Sequence, residues 1–392
     1  MSRIMDEILP ALENENLRLG LTRSVETLGA AAARALDKWP YLTEFAEYVR
    51  KTKEKVIENL DYYIDKTLKS VENAGGHSYF AKDEKEVCKI VDDIIGEGKK
   101  LIVKAKSMVT EEIRLREHLI ERGHEVYETD LGELLIQLSG GKPMHAIAPA
   151  VHIPREEAAR LLKKIAPEVS EDMSIEEMVS YVRKFLREKF VKADIGISGA
   201  NSIAADTGAI FLVSNEGNIR NATNLPPVLI AITGVDKIMP TIKDAFLQAI
   251  VQSGYAGLFP PTYLSLIAGP SSTADIEYHR VYGVHGAKEM HVILYDGGRI
   301  DASKNEYLRE QLYCVRCGRC QGECPIWDLV GNVWGGDVYG GPMGMGWTAI
   351  TQGIDKAAPL AMLCLGCGRC LEVCPSKIDM PSIIRYLKTH FR

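Results

Sequence analysis
Eight of the nine cysteines in this 392-residue chain stand in two short runs. The first reads Cys314-Val-Arg-Cys317-Gly-Arg-Cys320-Gln-Gly-Glu-Cys324-Pro325, the second Cys364-Leu-Gly-Cys367-Gly-Arg-Cys370-Leu-Glu-Val-Cys374-Pro375. Both are C-x2-C-x2-C-x3-C-P, the spacing that holds a pair of 4Fe–4S clusters. Three closely spaced thiolates reach three iron corners of a cubane. The fourth Cys, set off by three residues and followed by Pro, crosses to the other cluster. This assigns Cys314, Cys317, Cys320 and Cys374 to one cluster, and Cys364, Cys367, Cys370 and Cys324 to the other. Each Pro fixes φ and turns the chain away. Zinc and disulfides are the competing chemistries. Zinc sites draw on separated C-x2-C pairs, not on runs of four ending in Pro. Disulfides imply export, and the start Met1-Ser-Arg-Ile-Met-Asp-Glu-Ile is charged where a signal peptide carries an apolar core. Thiols kept free for clusters point to a reducing cytoplasm. Cys88, outside the runs, reads as a buried thiol in a helix.

Weaker constellations lie upstream. Lys106-Ser107 offers a cation and backbone amides to an anion at a helix start, or is a routine turn. Glu128-Thr129-Asp130 is either a carboxylate wall or a helix cap. The richest cluster joins Asn201 and Thr207-Gly208 with Asn215-Glu216-Gly217-Asn218-Ile219-Arg220. Its Asn and Gly residues suit tight turns, while Glu216 and Arg220 exceed what a turn requires. An Arg such as Arg220 would hold a carboxylate by a bidentate contact. His145, His152 and His291 are isolated and read as structural. No G-x-G-x-x-G and no G-x-x-x-x-G-K-[ST] string supports nucleotide chemistry.

The elements that position these residues follow from periodicity. Leu17–Tyr48 reads as helix broken at Pro40, and Tyr41–Val71 carries apolar residues at helical spacing up to Gly75-Gly76. From His77 onward strands alternate with helices. Strands are expected at 77–81, 100–105, 126–129, 146–148, 209–214, 227–234 and 291–295. Helices are expected at 84–95, from an N-cap at Thr110 to Gly123, at 155–164 and at 175–190. This alternation implies a mostly parallel sheet covered by helices. Polar residues gather at the strands' C-terminal ends, where open α/β sheets bind ligands.

The chain is 46% hydrophobic and 26% charged with net charge −6 and a pI near 5.9, so no nucleic-acid partner is expected. The uncharged-looking stretch 245–274 is broken by Gln248, Gln252, Gly254, Gly257 and Pro260-Pro261. It reads as core helix plus loop, and no direct membrane insertion is expected.

Several strings carry a resemblance: Lys106-Ser-Met, Glu128-Thr-Asp-Leu-Gly-Glu133, Ile136-Gln-Leu138, Ile147-Ala-Pro-Ala150, Gly199-Ala-Asn201, Asn215-Glu-Gly-Asn218 and Arg299. They are similar to the LUD domain. With the cysteine runs and Gly341-Pro-Met-Gly344 between them, the chain from about residue 75 on resembles the iron–sulfur subunit of the L-lactate utilisation system. Three departures stand out. Asp206 replaces a Glu before Thr207-Gly208, Gly297 replaces an Asn before Gly298-Arg299, and the family continues well past the second run, where a companion would dock. The resemblance implies an α/β fold of the NagB/RpiA/CoA-transferase type over 76–300, after a helical arm at 1–75. It also implies a helical ferredoxin-type dicluster domain at 301–392.

It further implies an oxidoreductase subunit that relays electrons from L-lactate oxidation to pyruvate through two 4Fe–4S clusters. Two companions go with it, a cysteine-rich-domain redox subunit and a second LUD protein, with a small carboxylate as candidate ligand. The alternatives are a redox adaptor of heterodisulfide-reductase type with a structural LUD domain, and an acyl- or CoA-transferring enzyme with Glu216 as the candidate carboxylate. The expected ligand-site residues are Lys106, Ser107, Glu128, Asn201, Thr207, Gly208, Asn215, Glu216, Asn218 and Arg220.

Overall fold
The computed structural model describes residues 2–391, with side chains from Asp6 onward. The opening residues that bear on a signal peptide lie partly outside them, as does Arg392. Twelve strands follow in chain order: β1 His77–Ala81, β2 Leu101–Lys104, β3 Glu125–Glu128, β4 Ile195–Ser198, β5 Ser202–Ala204, β6 Ile210–Ser214, β7 Val228–Gly234, β8 Ile238–Met239, β9 Tyr263–Ile267, β10 Ser272–Thr273, β11 Val281–Tyr282 and β12 Glu289–Tyr295. The main sheet has six strands in the order β1-β12-β7-β4-β2-β3, every pair parallel. Parallel strands buried on both faces read as continuous apolar runs, and β4 and β7 do so. Helix Glu84–Ile95 packs Val87, Val91 and Ile95 on one face. Helix Ile175–Lys192, started by a Ser174/Glu177 capping box, packs Met178, Val182, Leu186 and Phe190 on the other. A second sheet, β8-β5-β6-β9, is mixed and stands beside the first.

The arm is four helices, α1 Ser2–Glu13, α2 Glu15–Lys38, α3 Tyr41–Glu58 and α4 Leu60–Asn73. Asn59 interrupts the stretch read from sequence as one periodic run. The arm is built into the protein. Leu17, Leu21, Val56, Ile57 and Leu60 share one core with Leu229, Val292, Trp327 and Trp334. α3 also delivers Lys53, buried, to the carbonyl of Asp236 at 2.5 Å.

Some local expectations are corrected. Ser107, not Thr110, caps the helix after β2, and Thr110 lies inside it with its hydroxyl on Ser107 O at 2.8 Å. That helix breaks at Arg114, which is left-handed. Residues 146–148 are loop rather than strand, because the amides of Ile147 and Ala148 both donate to His145 Nδ1. The stretch 245–274 is helix Ile242–Tyr255 followed by loop and β9. Among the described residues no helix is long and apolar enough to cross a membrane.

The C-terminal region is helical, and three buried tryptophans, Trp327, Trp334 and Trp347, fill the segment between the cysteine runs. Helix Gly341–Thr351 needs its small residues. A Cβ on Gly344 would fall 2.1 Å from Tyr339 O, and one on Gly346 2.3 Å from Gln311 Oε1.

Candidate functional site
Each cysteine run makes the same two backbone moves. Arg316 and Gly366, two residues past the first Cys, have positive φ, and each donates its amide back to that Cys: to Cys314 Sγ at 3.3 Å and Cys364 Sγ at 3.4 Å. Gly318 and Gly368, after the second Cys, are also left-handed and open the short helices Arg319–Gly322 and Arg369–Glu372 that carry the third Cys. Position 316 carries an Arg in this conformation, uncommon for a side chain with a Cβ. Its guanidinium is anchored elsewhere, as described below.

The eight thiols fall into two neighbourhoods. Cys317, Cys320 and Cys374 each feel Cys314, while Cys324 and Cys370 each feel Cys364 and Cys367; Cys320 also feels Cys370, where the two sets adjoin. Burial raises Cys324 and Cys374 to about 11 and Cys370 to about 12. Backbone amides of Ile378 and Ser376 work against this at Cys374, and those of Trp327 and Ile326 at Cys324. Buried thiols with amides aimed at sulfur are groups that a metal deprotonates on binding. Among the described residues no three Cys, His, Asp or Glu converge on one metal ion. The C-x2-C-x2-C-x3-C-P spacing of both runs fits a 4Fe–4S group, whereas zinc sites draw on separated C-x2-C pairs. The two neighbourhoods differ in exposure. Cys314, Cys317, Cys320 and Cys374 are all buried, while Cys367 is exposed and Cys364 half-buried.

A network of buried charge joins the first run to the main sheet. Asp236, just after β7, receives Arg299 Nε and Arg316 Nη1, each at 2.6 Å. Arg299 also reaches Glu112 at 2.6 Å, and Tyr339 donates to the same carboxylate. Arg316 lies 4.0 Å over the Trp347 ring. Burial alone would raise the Asp236 pKa; Arg316 and then Arg299 outweigh it and hold it well below the carboxylate range. Burial, then the Arg316 charge, pushes Lys237 well down. Lys53, Arg299 and Arg316 outnumber Asp236 and Glu112 in this buried set. An excess of cations beside the first run suits an anionic cluster with four thiolates.

Against that network lies a cavity of about 300 Å³. Its walls come from the C-terminal ends of β2 and β4, the β6 turn and Arg316, matching the crevice position of α/β sheets. Of the residues expected from sequence, Lys106, Ser107, Asn201, Asn215, Glu216 and Asn218 line it. The three asparagines are committed to the fold. Asn201 bonds Gln252 and the Val213 amide, Asn215 accepts from Thr262, and Asn218 bonds Ser214 and Thr129. Lys106 Nζ donates to Ile147 O at 3.0 Å. Glu216 sits on the exposed rim; partial burial, then the Asp130 carboxylate, raises its pKa, and solvent access limits the shift.

Four residues are elsewhere. Glu128 is buried behind β2, paired with Lys104 at 2.8 Å and near Arg116. Thr207 and Gly208 form the β5–β6 turn against α4, where a Cβ on Gly208 would meet Val71 N at 2.6 Å. Arg220 is exposed and lies 5.0 Å over the Tyr263 ring. Asp130, part of the same string as Glu128, lines the cavity and also caps helix Leu131–Ser139. Ser198, Lys237 and Arg316 are lining residues that the sequence reading missed. Arg316 was visible only as a spacer inside a cysteine run, and Lys237 as an unremarked residue after a strand.

The chain matches the LUD domain family model over residues 64–295 and a 4Fe-4S dicluster domain over residues 310–378. It is 36% identical over 356 residues to a protein named Lactate utilization protein B from Bacillus thuringiensis (strain Al Hakam), covering 90% of this chain and 72% of that one. The protein of the same name from Bacillus anthracis (strain A0248) matches with the same identity and coverage. Among solved structures, a duf162 family protein from Deinococcus radiodurans aligns at a TM-score of 0.34 with 12% identity, over 60% of this chain and 98% of that one.

Proposed function
The chain belongs to the LUD domain family, and we propose on that premise that it is the iron–sulfur electron carrier of an L-lactate-oxidising system of several proteins. The observation that carries this reading is the split of eight thiols into two sets of four, one buried beside the α/β cavity, the other reaching the surface. Two 4Fe–4S clusters held there would supply one-electron carriers. Cys314, Cys317, Cys320 and Cys374 hold one group away from water, and Arg316 and Lys53 lend positive charge beside it. That charge favours the reduced state, because reduction adds an electron.

Cys324, Cys364, Cys367 and Cys370 hold the second group at the surface. Beside it Leu365 is 68% exposed and Met362 is also exposed, an apolar edge suited to a companion protein. The resemblance names two such companions, a cysteine-rich redox subunit and a second LUD protein. The arm 1–75, the domain 76–300 and the segment 301–392 then act as clamp, cavity and electron carrier.

The test is anaerobic purification with co-purifying partners, followed by L-lactate addition while the visible iron–sulfur absorption is recorded. Bleaching by the L-isomer and not the D-isomer supports the reading. Bleaching by dithionite alone would replace it with that of a redox adaptor fed by another donor.

A further inference from the structure
Buried polar atoms in a folded protein are almost always hydrogen-bonded, so unpartnered donors gathered in one place call for an explanation. The segment between the cysteine runs buries three tryptophans, and an indole N–H can only donate. Two are spent on oxygen: Trp327 Nε1 donates to Asn332 Oδ1 at 2.8 Å, and Trp334 Nε1 to Leu360 O at 2.9 Å. Trp347 Nε1 is buried without a partner. Gln311 is fully buried as well, and neither Nε2 nor Oε1 of its side chain has a partner.

These two side chains are neighbours, and both stand beside the first cysteine run. A Cβ on Gly346, the residue before Trp347, would collide with the Gln311 side chain. The Cys314 amide donates to the Gln311 carbonyl at 3.1 Å. Arg316, between Cys314 and Cys317, lies 4.0 Å over the Trp347 ring. Helix Gly341–Thr351 packs against the turn Arg309–Tyr313, which leads into Cys314, and against the short helix that carries Cys320. The second run differs. Among the described residues, 364–391 carry no unpartnered buried side-chain atom.

A water would satisfy both donors. Sulfur of an anionic cluster would satisfy them more strongly, because a charged acceptor shortens and strengthens a hydrogen bond. Sulfur is also the acceptor this part of the chain supplies, in four buried thiols.

We propose that Trp347 Nε1 and Gln311 Nε2 donate hydrogen bonds to sulfur of the group held by Cys314, Cys317, Cys320 and Cys374, and thereby raise its midpoint potential. The proposal rests on the two-cluster reading and adds to it which side chains tune which cluster. On one-electron reduction, the electron coming from the titrant, the group gains one negative charge and no proton moves. Both donors then stabilise the reduced state more than the oxidised one. The second run has no such donors, so the effect belongs to the buried group alone.

The experiment is a redox titration of the anaerobically reconstituted full chain, followed by electron paramagnetic resonance, with iron content matched between variants. The buried group's signal is the one lost in Cys317→Ser. Trp347→Phe keeps an aromatic ring against the Arg316 guanidinium, and Gln311→Met keeps the bulk of the amide. Each should weaken reduction of the buried group about threefold or more, which is a fall of about 28 mV at about 59 mV per tenfold for one electron. The surface group's midpoint should stay in place. Trp327→Phe, which loses an N–H spent on oxygen, should move neither midpoint. In wild type labelled with the heavy nitrogen isotope in indole, pulsed resonance of the reduced buried group should show a coupled nitrogen. The proposal is overturned if both variants keep the wild-type midpoint, as water in place of sulfur would give, if both groups shift together, or if the labelled indole shows no coupling. A wild-type chain without the buried group's signal would overturn the two-cluster reading and this proposal with it, whereas a signal indifferent to both substitutions overturns this proposal alone.

Discussion

Replacing Asp236 by Asn removes the carboxylate that ties the main sheet to the first cysteine run. The side chain is 1% exposed and accepts from Arg299 Nε and Arg316 Nη1 at 2.6 Å each. Arg299 keeps a second acid, Glu112, at 2.6 Å. Arg316 has no other acid partner among the described residues and is left against the Trp347 ring. Taking one partner from a buried pair costs about 3–5 kcal/mol. With one guanidinium orphaned rather than two, that range, not its double, is the expectation. It is a large part of a total stability of about 5–15 kcal/mol.

The pH dependence has a definite sign. Burial opposes ionisation of Asp236, but Arg316 and then Arg299 depress its pKa below the ordinary 3.8. Its contribution is therefore present above 3.8 and is lost as pH falls below that value through the lower folded one. The assay is urea denaturation of the full chain, reconstituted anaerobically and matched for iron. Adding Arg316→Met to Asp236→Asn removes the orphaned charge and should recover most of the loss, because an apolar replacement of a whole buried pair is close to neutral. A loss below about 1 kcal/mol for Asp236→Asn, or no recovery in the double variant, would refute the network as the join between the two regions.

Two further predictions use other parts of the molecule. Glu133 is 3% exposed, 3.8 Å from Lys106, and burial raises its pKa from 4.5 to about 7. It binds its proton more tightly folded than unfolded, so its contribution is full below 4.5 and is lost as pH rises through about 7. Glu133→Gln should match the wild type near pH 4.5 and exceed it at pH 8 by at most about 3 kcal/mol in thermal or urea unfolding; equal stability at both pH values would contradict this. Leu365→Glu, at the exposed edge by Cys364 and Cys367, should leave iron content unchanged while slowing electron exchange with co-purified partners about tenfold. Unchanged exchange in stopped-flow mixing would move the docking face elsewhere.

The cysteine runs were legible as a 4Fe-4S dicluster domain because their pattern is local: the spacing and the closing Pro stand in the string itself. The parallel sheet was legible for a similar reason in β1, β2, β3, β7 and β12, short runs ended by turns, while β4 was not among the expected strands. Of the second sheet only β6 was legible. Strands β5 and β8 are three and two residues long, too short for a periodicity to show. The string 146–148 looked like a strand, yet a single acceptor, His145 Nδ1, draws its amides into a turn.

The ligand site was half legible. Turn-rich strings mark where the chain bends at strand ends, and six of the ten expected residues do line the cavity. What a string cannot show is whether a polar side chain is spent internally. The asparagines are spent, Arg220 faces outward, and Glu128 is closed in by Lys104. The unpartnered Ser198 hydroxyl and Arg316 Nε come from two distant segments and share one cavity only when β4 and the first cysteine run meet.

The central claim is that two separate four-thiol sites, crossed between the runs, each hold a 4Fe–4S cluster. The most direct measurement is iron analysis with electron paramagnetic resonance of the dithionite-reduced full chain, alongside Cys317→Ser and Cys367→Ser. The account predicts about eight irons per chain, falling to about half in either variant. Cys317→Ser should leave only the signal of the surface cluster, and Cys367→Ser only that of the buried one. Zinc in place of iron, or undiminished iron in both variants, would contradict it.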